Sequence, residues 1–155
     1  MQIRPMFSYV FVITILWIGF ILALSFLEAP LKFQAPSVTV PIGLEIGHLV
    51  FHALNRIEWL FAILILINLF VGQTASRTML ITIAVIVLLI VQTLLLFGPL
   101  DQRTLAIING ESVGEAPYHI YYIALEVIKL ISLFFLVYFQ LQDFKSTLLT
   151  QTGGG

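Results

Sequence analysis

Apolar residues dominate four stretches of the chain, at 6–27, 42–71, 78–97 and 117–141, and the segments between them hold most of the Pro, Gly, Asn and Asp. A helix rises about 1.5 Å per residue, so each stretch is long enough to cross roughly 30 Å of hydrocarbon. No period-two alternation runs through them, and a lipid-facing strand leaves its backbone unpaired unless a barrel closes. The pattern predicts an all-α fold: an integral membrane four-helix bundle forming a single domain over 1–152, with a flexible glycine tail or cloning scar at 153–155. The run behind Arg4 has the charge-then-apolar order of a signal peptide, but it is as long as a spanning helix, and Ala23-Leu24-Ser25 is a poor cleavage site.

The connectors differ. Segment 28–41 carries Pro30, Pro36 and Pro41, which predicts an extended crossing over the bundle, with Pro41 in the first turn of the second helix. The second connector, from Gly72 to Arg77, is short. The third, 98–116, has Asn109-Gly110 as a turn signal and room for a short surface helix over 104–108.

Composition strengthens the membrane reading. The hydrophobic share is 60% and the mean hydropathy +1.08, against roughly 45–50% apolar in soluble domains. Seven Lys plus Arg against eight Asp plus Glu leave no basic footprint for nucleic acid. With no Cys there is no disulfide framework, thiolate metal site or thiol relay. Arg4, Arg77, Lys145 and the amino terminus stand on one side, Lys32 and Arg103 on the other, which predicts an inner-membrane protein with both termini cytoplasmic.

Against this background the ionisable residues inside the helices stand out. The second helix carries Glu45, His48, His52 and Arg56 at steps of three and four, all within a face about 80° wide at 100° per residue. The fourth carries His119, Tyr122, Glu126 and Lys129 on an equally narrow face. Both helices enter from the same side, so Glu45 is expected level with His119, His48 with Tyr122, His52 with Glu126 and Arg56 with Lys129. Glu28 closes the first helix at that surface, Asp101 and Glu115 lie in the loop above it, and the first and third helices look mainly lipid-facing.

A charged group at the bilayer centre costs roughly 2.5–3.5 kcal/mol on insertion scales, so such residues face the bundle interior and pair. A purely structural reading makes Arg56, Glu58, Glu126 and Lys129 ion-pair glue between helices. The chemical reading starts from Glu45-x-x-His48-x-x-x-His52, which puts a carboxylate and two imidazoles on one helix face, a donor set suited to Zn, Fe, Cu or Mn. His48, His52 and His119 are then the nitrogen ligands. Glu28, Glu45 or Glu126 completes the shell or acts as base, and Tyr122, Lys129 and Arg56 stand beside the reacting centre. With only one Glu-x-x-His, a full di-iron site is not expected.

Two alternatives stay open: haem b held between His119 and His48 or His52, and a proton- or ion-coupled transporter or accessory subunit with a relay through Glu126, His52, Arg56 and Lys129. Gly43-x-x-x-Gly47 offers a close-packing surface for ordinary packing, a second copy or a membrane partner. Nucleophile elbows and phosphate loops are missing from the sequence. An outward-facing site between helices suits a lipophilic substrate, and neither enzyme nor carrier is singled out.

Overall fold

The computed structural model describes residues 9–71, 74–114 and 117–152. Arg4 and the predicted helix start at 6–8, Gly72 and Gln73 of the second connector, Glu115 with Ala116, and the tail at 153–155 lie outside the described residues. Four helices are long and apolar enough to cross a membrane: α1 (Val10–Gln34), α2 (Val40–Val71), α3 (Ser76–Ile108) and α4 (Tyr118–Leu149). The protein is an all-α four-helix membrane bundle, and the described residues form no strand.

The helices pack in a ring. Each of α1 and α3 lies against both α2 and α4, so α2 and α4 face one another across the diagonal. Trp17, Ile21, Phe61, Ile65, Val85, Leu89, Leu133 and Leu136 fill the centre. Leu49, Leu80, Leu94 and Ile120 point outward and are well exposed, as lipid-facing side chains must be.

Two predicted boundaries are corrected. The extended crossing at 28–41 is not formed: α1 runs on through Pro30 to Gln34, and the chain turns over 35–39 before α2 begins. Likewise α3 does not stop at 97 but continues through Pro99 to Ile108, so the short helix foreseen at 104–108 is the end of α3. An interior proline lacks the N–H that would bond the carbonyl four residues back and clashes with that carbonyl. Here each proline follows a stretch of wider π-helical turn, Leu22–Glu28 before Pro30 and Gln92–Leu96 before Pro99. The carbonyls in question, those of Phe26 and Leu95, fall inside those widened turns. The helix therefore accommodates the proline instead of ending at it.

The predicted turn at Asn109-Gly110 is formed. Gly110 has φ 81°, donates to Ile107 O at 3.1 Å, and Glu111 N donates to Ala106 O at 2.9 Å, a Schellman closure that ends α3. Gly43 and Gly47 are covered within the chain: a Cβ on Gly43 would lie 2.1 Å from the Phe33 ring, and one on Gly47 2.8 Å from Lys32 Nζ. The small-residue surface thus seats the returning end of α1.

Candidate functional site

Two polar centres sit at different depths. The deeper one is at the middle of the bundle, where Gln92 is the middle residue of α3. Lys129 on α4 reaches across the diagonal to Glu58 on α2, at 2.5 Å, and pairs with Glu126 one turn back on its own helix, at 3.0 Å. Gln92 completes the ring: its Oε1 accepts from Lys129 Nζ at 2.7 Å and its Nε2 donates to Glu126 Oε2 at 2.7 Å. The opposite amide orientation would set an NH2 against the ammonium, so the neighbours fix it. Trp17 Nε1 donates to Glu58 Oε1 at 2.9 Å, and Ser25 Oγ donates to Glu126 Oε1 at 3.4 Å. Glu58 and Glu126 are 1% exposed and Lys129 0%. Groups so removed from water are held only because each finds partners, and all four helices contribute one.

The second centre lies toward the end where α2 and α4 begin. A helix of 32 residues is about 48 Å long and overhangs a 30 Å hydrocarbon layer by about 9 Å at each end. His48 is eight residues into α2, about 12 Å, which places it just inside the apolar boundary. One turn on, His52 presents its ring on the same side, the centroids 4.5 Å apart. Asp101 on α3 meets both: Oδ1 lies 2.8 Å from His48 Nδ1 and Oδ2 2.9 Å from His52 Nε2. The three donor atoms lie within 4.8 Å of one another. Tetrahedral zinc with Zn–N near 2.0–2.1 Å spaces its donors about 3.3 Å apart, which is within the 4.8 Å span of this set. His48 Nδ1 is shut off from solvent, and its 2.8 Å approach to the Asp101 carboxylate lacks hydrogen-bond alignment.

Between the centres lies a cavity of about 440 Å³. Phe26, Phe33, Leu44, Phe51, Leu100 and Ile123 give it mainly apolar walls. Its polar points are His48, Asp101, His119, Tyr122, Ser25 and Glu126, with Lys32 also in the lining. The cavity therefore joins the histidine end to the inner face of the buried ring. Tyr122 is held edge-on to Phe51 at 5.0 Å.

The predicted site residues divide accordingly. His48 and His52 come together, while His119, Tyr122 and Glu126 share the cavity and Lys129 sits behind Glu126. His119 stands outside the three-donor group. Glu28 pairs with Lys32 at 3.3 Å. Glu45 and Arg56 are exposed, apart from both centres. The residue of α2 that meets Lys129 is Glu58 and not Arg56, which was expected at the same level, because the buried positions of α2 (Gly43, Gly47, Leu54, Glu58, Phe61 and Ile65) lie on the side opposite Glu45 and Arg56. Gln92 and Ser25 give α1 and α3 a part in the polar interior that a lipid-facing assignment omits.

Asp101 is the third member of the donor group, and a loop assignment hid it. Its signal was the helical spacing of Phe97, Leu100, Asp101 and Thr104, all of which line the cavity. Comparison of the chain with protein-family models, curated proteins and solved structures finds no match. What the protein does must therefore be argued from the four-helix membrane bundle and its two polar centres.

Proposed function

We propose that the protein is a membrane metalloprotein that holds one divalent first-row metal ion at His48, His52 and Asp101 and receives a lipophilic molecule in the adjoining cavity. The observation that carries this reading is the convergence of two imidazoles and a carboxylate from two helices, with His48 Nδ1 and His52 Nε2 each within 2.9 Å of an Asp101 oxygen. Two His and one carboxylate suit Zn, Fe(II) or Mn, and three protein donors leave a position for a water or substrate oxygen. When bound, such an ion supplies Lewis-acid or redox chemistry. The chain's own contribution is an apolar enclosure that excludes water, with Tyr122, His119 and Glu126 positioned along its wall to orient a polar end group.

Haem has less support. The α2 imidazoles turn to Asp101 on α3, while His119 stands on the other wall. The histidine end is assigned outward, following the Lys and Arg distribution of the connectors.

Metal analysis of protein purified without chelator tests the reading. One equivalent of metal per chain is expected, and Co(II) loaded in its place should give visible ligand-field bands that His52→Ala abolishes. No stoichiometric metal together with no Co(II) spectrum would overturn it.

A further inference from the structure

The buried ring at the bundle centre is one positive charge short. Glu58 and Glu126 bring two carboxylates, and Lys129 is the one cation that touches either of them among the described residues. Every other neighbour is uncharged: Trp17 and Ser25 from α1, Gln92 from α3 and Tyr122 from α4. Ionised throughout, the ring would hold a net negative charge on residues at most 1% exposed. Lys129 and Gln92 link the two carboxylates in one hydrogen-bonded chain. A charge placed on one is felt by the other.

Access to this ring differs on its two sides. Toward the histidine end, Glu126 and Ser25 line the cavity. Toward the other end, Phe61, Ala62, Ile65, Val85, Leu89, Leu133 and Leu136 are all buried and close the bundle. On α4 the next buried polar side chain after Lys129 is Gln140, which Thr14 caps at 2.8 Å. Ten residues lie between them, about 16 Å of rise along α4.

We propose that the Glu58–Lys129–Glu126 ring is a one-sided proton store, which holds a single exchangeable proton in mid-membrane and trades it, through Glu126, with a molecule in the cavity. In the step itself the Glu126 O–H bond breaks and an O–H bond forms on a water or on an oxygen of the lipophilic ligand. The electron pair stays on the carboxylate, which Lys129 and Gln92 then hold. The reverse step recharges the ring from the cavity. The apolar plug keeps the ring from conducting protons across the bilayer, so it serves chemistry in the cavity and is not a transport path.

Infrared spectroscopy of the protein in lipid nanodiscs at pH 7 tests the store. One protonated-carboxyl band per chain is expected in the wild-type protein, lost in both Glu58→Gln and Glu126→Gln, where one carboxylate remains against one ammonium. Dicyclohexylcarbodiimide, which attacks protonated carboxyls from lipid, should label Glu126, with at least tenfold less labelling in Glu58→Gln. Proteoliposomes under a pH gradient should pass no more protons than empty liposomes. Absence of the band in the wild-type protein, or a band replaced by sodium or potassium binding, would overturn the proposal. So would a proton flux that Glu126→Gln removes. The store does not depend on the metal: His52→Ala should empty the metal site and leave the band in place, so the two readings fail separately.

Discussion

The two polar centres are built from the same kinds of groups, carboxylates facing nitrogen bases, and they behave as opposites because of where they lie. In the central ring both oxygens of Glu126 and both polar atoms of the Gln92 amide are engaged, and its three charged residues are at most 1% exposed. At the histidine end the side chains are about a quarter to a third exposed, and each imidazole meets a single carboxylate, that of Asp101. Saturated contacts in a low-dielectric core resist exchange of anything larger than a proton. Partly exposed donors beside a cavity can be reached by a ligand. Burial, more than residue type, separates a site that holds its own charges from one that can take in an ion.

The strongest way to break this contrast is to take the cation from the ring. Lys129→Met leaves two carboxyl groups with no cation and strands Gln92 Oε1, and uncompensated loss of one member of a buried pair costs about 3–5 kcal/mol. It should lower the melting temperature in detergent more than any other change considered, and a variant that melts like wild type would show the ring to be dispensable. Glu58→Gln should cost clearly less, since Lys129 keeps Glu126.

At the other centre the expected change is in ligand content. Asp101→Asn and His52→Ala should each weaken metal binding by more than the ~10–100-fold typical of outer-shell changes, read by metal analysis, with a far smaller effect on melting than Lys129→Met. His119→Ala should keep its metal. If it loses the ion as fully as His52→Ala, the donor set extends across the cavity.

Two smaller effects sharpen the boundary between the centres. Gly43→Ala drives a methyl into the Phe33 ring and should cost about 1–3 kcal/mol by overpacking, partly recovered by Phe33→Leu in thermal melts. Ser25→Ala removes only a 3.4 Å contact to Glu126. Interhelical hydrogen bonds in membranes average about 0.6 kcal/mol, so chemical unfolding should detect that much or less.

The comparison of α2 with α4 shows how far the chain could be read. Both have ionisable residues at steps of three and four. On α4 the predicted stripe is in part the buried face, with Tyr122, Glu126 and Lys129 inside. On α2 the stripe lies away from the centre: Glu45 and Arg56 are exposed, His48 and His52 turn toward α3, and Glu58 is the acid that enters the core. Periodicity shows which residues share a face and is silent about which face is inward. For α2 that choice falls to packing, where Gly43 and Gly47 admit Phe33 and Lys32 closely and Glu58 meets the cation of Lys129. The connector boundaries misled for a related reason. Pro30 marks a helix end in water-soluble reasoning, but a widened turn before it, like the one before Pro99, lets the helix continue, and the continuation of α3 carries Asp101 to the histidines.

Hydrophobic content and the four long apolar runs determined by themselves that the chain spans a membrane as helices, since no other backbone arrangement of such runs satisfies its hydrogen bonds in lipid. The residue types also announced that something polar lies within, because charges in those runs are too costly to be incidental. Only the tertiary structure decided which of them meet. Contact across helices depends on rotation about each axis and on turns that shift register, and a step of two residues, about 160° of arc, separates exposed Arg56 from buried Glu58.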